Sequence, residues 1–419
     1  MSFRSLGRDV ALVVIARSVS WFGDAVATVA LMLRLQSQGH GATAVAALLI
    51  ANALPIVALS GIVGRLVDRY DNRTLVVLSS LAQGAVCLTV AAVDSTPAVL
   101  GLVGLLGAGQ AVNAASWQAL LAAMTEGDGL TRALGHATAG RTLAGIAAPA
   151  VSGLLVGLYG AGVPLLIDAG AYLAVTGVAL LIATRRTVGP AGDGAPVRGG
   201  LSIVRADDLL RPLFVMLGLF VLLGSMVNVV EVFLVRETLG ASTTWYGLAG
   251  ATLSAGSVVG ALLAGRLRGV RALARGLVWS AIALAASLAI MGGVPSVAWV
   301  LPVGALLGAA NGILNVALSS LVMGRARAAE RGRVSALLSG IASGTQILAF
   351  AAGGALAAAF TPREIFVAAG ALGIMVPVLL GRGLIRAASV RADPSPAAAP
   401  YALFSRRSRL GVSRGTRVG

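Results

Sequence analysis

With 57% of its 419 residues hydrophobic, 55 glycines and a mean hydropathy of +0.91, the chain has too little polar surface to cover a soluble globule. Only 11% of residues are charged, and the net charge of +16 comes from arginines gathered in short polar stretches, which argues against a nucleic-acid binder. The single cysteine, Cys87, excludes a disulfide framework and reads as packing.

Apolar runs of about 20 residues, long enough to cross a hydrocarbon core, lie at 10–33, 42–67, 74–93, 97–123, 134–158, 161–184, 212–235, 246–267, 273–292, 296–322, 335–359 and 364–386. They predict an all-α membrane protein with twelve transmembrane helices. The first run is too long and wrongly flanked for a cleaved signal peptide. It carries Arg17 and Asp24, seven residues apart, hence on one face and roughly 10 Å from each other. Between the second and third runs lies the most charged stretch of the chain, Gly64-Arg65-Leu66-Val67-Asp68-Arg69-Tyr70-Asp71-Asn72-Arg73, a tight loop between two spans. Asp68 there is expected to accept hydrogen bonds from unpaired amides at the next helix start. The arginines can bridge carboxylates of neighbouring helices or simply anchor the loop at the membrane surface.

The fourth run carries Gln110, Asn113, Trp117 and Gln118, a polar and aromatic stripe suited to lining a cavity, with Asn311 and Asn315 in corresponding places of the tenth. Amides in a span also bond across to neighbouring helices with no ligand involved. Arg141 lies in the fifth run, with Pro149 and many small residues that read as a kink and close packing. Asp168 in the sixth and Glu231 in the seventh lie toward helix ends, where a gate is the expected role. Ionisable groups inside spans cost a few kcal/mol each and need a reason. Asp24, near mid-depth, either carries a coupling proton or contacts substrate, or else only neutralises Arg17 and ties the first helix to the fifth through Arg141.

Gly64-Arg65-Leu66 recurs as Gly265-Arg266-Leu267, and Leu105-Leu106-Gly107-Ala108 as Leu306-Leu307-Gly308-Ala309, both at a shift of 201. A common shift predicts two pseudo-symmetric six-helix bundles at 1–184 and 212–386. Between them falls a Gly-, Pro- and charge-rich linker at 185–211, and a basic tail at 387–419 has the composition of a disordered segment. With the first helix starting in the cytoplasm, 27 arginines fall inside, three outside and two within helices, which puts both termini in the cytoplasm.

These residues resemble the major facilitator superfamily, and within it the twelve-helix exporter branch that includes macrolide and siderophore effluxers. Gly64, Leu66, Asp68, Arg69 and Arg73 fall on that family's loop pattern G-x-L-x-D-R-x-G-R-[RK], where Asp71 replaces a glycine; the copy at Gly265 has Gly269 near the place of the acid. Gly145 to Gly153 is similar to the antiporter signature G-x-x-x-G-P-x-x-G-G, with Ala148 and Ser152 in place of glycines. Gly23-Asp24, Leu166-Ile167-Asp168-Ala169, Val235-Arg236-Glu237 and Arg331-Gly332-Arg333-Val334 also look like this branch. The resemblance implies a conformational switch at Gly64, Asp68, Arg69 and Arg73. It further implies proton-coupled, alternating-access export of small amphipathic molecules, antibiotic- or siderophore-like, from a monomer multiply spanning the inner (plasma) membrane. Proton-coupled import of a small metabolite is the alternative, and a non-transporting receptor or scaffold a weaker one. No cofactor, metal or nucleic acid is expected, and no enzyme: H-E-x-x-H, G-x-G-D and P-loop patterns are all missing from the sequence. The expected partners are the substrate, protons and the bilayer.

Overall fold

The computed structural model describes residues 7–125, 128–182, 204–205, 207, 209–325 and 331–390. Most of the linker expected at 185–211 and the tail beyond residue 390 lie outside them, as do the side chains of Arg331 and Arg333. Among the described residues the chain is all helix and short connections, with no strand. Its helices are α1 (Arg8–Ser37), α2 (Ala42–Ala58), α3 (Ser60–Arg69), α4 (Asn72–Ala92), α5 (Thr96–Met124), α6 (Asp128–Tyr159) and α7 (Gly162–Leu181) in the first half. The second half has α8 (Leu210–Phe233), α9 (Thr243–Ala264), α10 (Val270–Gly293), α11 (Val297–Arg325), α12 (Arg331–Leu356) and α13 (Pro362–Val390). Eleven helices are long and apolar enough to cross a membrane, or twelve when α2 and α3 count as one span bent by 52°. Pro55, in the last turn of α2, has no N–H to donate back along the helix, and the break follows at Leu59. Some boundaries shift from expectation: α6 begins six residues early at Asp128, α13 continues through Val390 into the segment assigned to the tail, and α8 is prolonged by a π-helical turn at Leu234–Thr238.

The caps are local. Ser242 accepts from the Trp245 amide at the start of α9, and Thr361 and Glu364 form a reciprocal pair at the start of α13, bonding at 2.8 and 3.3 Å. In the charged loop the expected donor–acceptor assignment moves by one turn. Asp68 lies inside α3, not past its end, and the carboxylate that caps α4 is Asp71, which accepts from the Thr74 amide at 3.0 Å and its hydroxyl at 2.8 Å. Asp71 reaches those amides because it is the residue immediately before the helix, in extended conformation. Arg73 does not bridge a carboxylate; it donates to the carbonyl of Leu180 at the end of α7, an acceptor left open by the helix terminus. The corresponding Gly269 has φ +82°, a conformation that disfavours any side chain, so an acid would be strained there.

Within the first half α1 packs on α6 and α7, and α4 on α5 and α7; within the second, α9 packs on α11, and α10 on α11 and α13. The 201-residue shift recurs in this packing. A Cβ on Gly107 would strike the Asn52 carbonyl, and one on Gly308 the Leu253 carbonyl, and both the glycines and their partners are 201 apart. Gly84 facing Tyr172 is likewise matched by Ala285 facing Gly373. The most extensive contacts between halves are α6 with α9 and α2 with α12. The tightest glycine contacts there lie toward the helix ends away from the chain termini, here called the distal end. Gly153 meets Thr243 and Gly247, Gly247 meets Pro149, and Gly354 meets Thr43 and Ala46. The small residues around Pro149 thus serve helix packing, as expected. At the same end Gln36 donates to Glu237 at 3.1 Å and accepts from Arg236 at 3.3 Å.

At the opposite end Asp207 accepts from Arg325 at 2.8 Å and from the amides of Leu209 and Leu210, capping α8 and tying its start to the end of α11. Burial pushes the Asp207 carboxyl up, but these hydrogen bonds and the guanidinium outweigh it and hold it below the usual carboxylate value.

Candidate functional site

Four helices of the first half bring one polar cluster together inside an otherwise apolar region. Asp24, midway along α1, accepts from the Tyr172 hydroxyl at 2.5 Å and from the Gln110 amide at 3.1 Å, both on Oδ1. Tyr172, on α7, accepts in turn from Gln83 of α4 at 2.8 Å. Gln83 Oε1 receives Asn113 of α5, which also donates to Ser80. Asp168 lies one helical turn before Tyr172, 2% exposed, and its Oδ2 accepts from the Cys87 thiol at 3.2 Å. Its Oδ1 is buried with no hydrogen-bond partner in the structure. That oxygen fits only because residue 23 is glycine: a Cβ there would stand 2.5 Å from it.

A narrow cleft opens beside these carboxylates. Its polar wall is Asp24, Asp168, Gln110, Thr28 and Asn52; its apolar wall is Leu31, Leu48, Leu49, Val103 and Leu106. The Thr28 hydroxyl is engaged by the Asp24 carbonyl of its own helix at 2.7 Å. No lining residue is basic. Arg17 forms no ion pair with Asp24; its guanidinium lies 4.6 Å from the Trp21 ring centre, and that of Arg141 lies 5.7 Å from the same ring. Trp21 is one turn from Arg17, within easy reach, whereas Asp24 is two turns away and already supplied with neutral donors from α5 and α7. The expected tie between the first and fifth spans therefore exists, through an indole and not through a carboxylate.

Other expected site residues are placed differently. Asp168 is not at a helix-end gate but shares the cleft with Asp24, because α7 enters only six residues earlier and packs its Asp168 face onto Gly23. Asn113 and Trp117, both 2% exposed, do not line the cleft. Asn113 is spent on Ser80 and Gln83, and Trp117 packs in a core with Val13, Leu120 and Val175. Of the amides expected to line a cavity only Gln110 reaches this cleft; Asn315 bonds to Asn311 on α11, away from it. Glu231, on α8, is half-buried beside neither carboxylate, within electrostatic range of Tyr246. The charged loop of Gly64, Asp68, Arg69 and Arg73 is at the terminal end, remote from the cleft walls.

Tyr172, Gln83, Trp21 and Gln36 are the participants that sequence reasoning passed over. A signal existed for Tyr172: it follows Asp168 by four residues and so shares its face of α7. The cluster is not repeated in the second half. At the shift of 201 the counterparts of Asp24, Gln83, Asp168 and Tyr172 are Ser225, Leu284, Ala369 and Gly373.

Two stretches of the chain, residues 13–235 and 213–414, match a family model described as Major Facilitator Superfamily. Solved structures of similar fold include the nucleoside transporter NupG, with TM-score 0.68 at 9% identity over 90% of this chain and 99% of that one. A bacterial homologue of the iron transporter ferroportin, in an inward-facing state, gives 0.68 at 14% identity over 93% and 100%. A bacterial homolog of the human lysosomal transporter Spinster, inward-facing and occupied, gives 0.64 at 15% identity over 90% and 94%. No curated protein matches the sequence.

Proposed function

Since the chain belongs to the major facilitator superfamily and is a multi-pass membrane transporter, we propose that it exports small amphipathic molecules in exchange for protons. Two six-helix halves, 1–184 and 212–386, rock about a site near mid-membrane. The observation that carries the reading is Asp24: a carboxylate in the middle of a spanning helix, held by neutral donors and lining a cleft, with Arg17 placed on the Trp21 ring. A carboxylate so placed is costly unless its charge is used. Neutral hydrogen-bond donors leave it able to take a proton or a cationic group, where a guanidinium partner would have fixed it as an anion.

With both termini in the cytoplasm, as the arginine distribution indicates, the packed distal end is the outer one and the conformation is inward-facing. The opposite state requires separation of α6 from α9 and α2 from α12, together with loss of the Gln36 bonds to Arg236 and Glu237. The loop of Gly64, Asp68, Arg69 and Arg73 then lies at the open cytoplasmic end, placed to close it. A cleft walled by leucines and two carboxylates suits a small amphipathic substrate.

The test is transport in everted membrane vesicles containing the protein, challenged with a panel of antibiotics and siderophores with and without a proton gradient. Accumulation that collapses with the gradient is expected. Accumulation that persists at the same rate after the gradient is dissipated refutes proton coupling, and gradient-driven loss from the vesicles reverses the direction.

A further inference from the structure

The two carboxylates of the cleft each keep one oxygen open. Both hydrogen bonds to Asp24 land on Oδ1, so Oδ2 has none in the structure. Asp168 gives Oδ2 to the Cys87 thiol and leaves Oδ1 buried and unpartnered. A buried acceptor without a partner costs about 1–3 kcal/mol, more when charged, and is rare in a native protein. Every other polar group nearby is either spent or neutral. Tyr172 and Gln110 are committed to Asp24, the Thr28 hydroxyl to a backbone carbonyl, and Arg17 and Arg141 to Trp21. What the cleft lacks is a cation with several hydrogen-bond donors.

The rest of the wall defines what carries that cation. Leu31, Leu48, Leu49, Val103 and Leu106 offer an apolar surface, the opposite of the oxygen cage that a metal ion demands. Among the described residues, no set of three or more His, Cys, Asp or Glu side chains is arranged to hold a metal. The space between these walls is narrow, too small for a macrolide ring.

We propose that this cleft binds a small lipophilic amine in its ammonium form, its N–H groups shared between Asp24 Oδ2 and Asp168 Oδ1 and its apolar body against the five leucine and valine side chains. An ammonium supplies three donors, enough for both open oxygens. The inference rests on the transport reading above and narrows its substrate to small amphipathic amines. Asp168 becomes a binding residue equal in rank to Asp24, and Gly23 is required because only glycine lets that carboxylate approach α1.

The experiment uses the full chain in lipid nanodiscs with tritiated phenethylamine as probe, competed by unlabelled phenethylamine or by 2-phenylethanol, which keeps the shape and loses the charge. Saturable binding is expected, with the alcohol at least tenfold weaker as a competitor. Asp168→Asn should weaken the amine at least tenfold while leaving the melting temperature of the protein in place. Equal competition by amine and alcohol, absence of saturable binding, or unchanged affinity in Asp168→Asn overturns the proposal; displacement of the amine by millimolar sodium overturns it in favour of an inorganic cation. The comparison of the two competitors needs no variant, so a folding defect in Asp168→Asn does not shield the idea. Amine binding without gradient-driven flux would sink proton-coupled export and keep the site. Gradient-driven export of a neutral compound with no amine binding would sink the site and keep the export reading.

Discussion

Closure of the distal end depends on residue 247 having no side chain. A Cβ at Gly247 would lie 2.5 Å from the Pro149 carbonyl oxygen and 3.1 Å from the α-carbons of Ala150 and Gly153. These are backbone atoms that cannot rotate aside, and ordinary contact with carbon needs roughly 3.5 Å. Gly247→Ala therefore forces α6 and α9 apart by about 1 Å, at the usual overpacking cost of about 1–3 kcal/mol. In the opposite conformation, where these helices separate, the cost vanishes, so the equilibrium should shift roughly 5- to 150-fold toward distal opening. Spin labels at the exposed Leu158 of α6 and Phe360 before α13 report the distance between halves at that end. Electron–electron resonance should show a longer-distance population grow in Gly247→Ala. Gly145→Ala, on the same α6 but with nothing within 4 Å of its added methyl, should leave the distribution alone. Identical distributions in wild type and Gly247→Ala would refute the claim that this contact holds the distal end shut.

Gly308→Ala meets the backbone of Leu253 and should destabilise the protein by about 1–3 kcal/mol, whereas Gly304→Ala, with its nearest atom at 3.4 Å, should stay within about 0.5 kcal/mol. Equal melting temperatures for the two would contradict the packing of α9 on α11. Asp207→Asn should cost about 1 kcal/mol near neutral pH, since its partner pair is partly solvated. The Asp207 carboxyl is held below its ordinary value, so its contribution is present above about pH 4 and lost as pH falls through the folded value; the melting difference from wild type should close in acid. A difference that widens on acidification would show the wrong sign. Tyr172→Phe removes a donor to Asp24 and the acceptor for Gln83, a loss of about 1–3 kcal/mol, though Gln83 keeps the Leu106 carbonyl at 3.3 Å. Gradient-driven transport should fall at least tenfold with protein level unchanged, and unaltered flux would detach the network from function.

The spans were legible because a bilayer imposes one strong requirement, some 20 apolar residues per crossing, and each α-helix here meets it apart from the pair α2 and α3. What hydropathy misses is the break at Leu59, since Pro55 changes direction without changing polarity. Asp24 stood out for the same reason that the spans did: a charge inside one is conspicuous. Its partners did not, because Tyr172 and Gln83 are unremarkable in composition and acquire meaning only when α7 and α4 are known to face α1. Asn113 and Trp117 were misread through the same gap. A polar stripe on α5 shows periodicity, but periodicity does not distinguish the side facing a cavity from the side facing α4. In the charged loop the pattern located the helix start to within a few residues, and the choice between Asp68 and Asp71 as the cap turned on where α3 ends.

Proton coupling through Asp24 is most directly tested in proteoliposomes containing the purified protein and an internal pH dye, by adding an exported substrate in the absence of any imposed gradient. Wild-type protein should move protons against the substrate flux, and Asp24→Asn should exchange substrate down its gradient with no proton movement. Proton movement in Asp24→Asn equal to that of wild type would contradict the central claim.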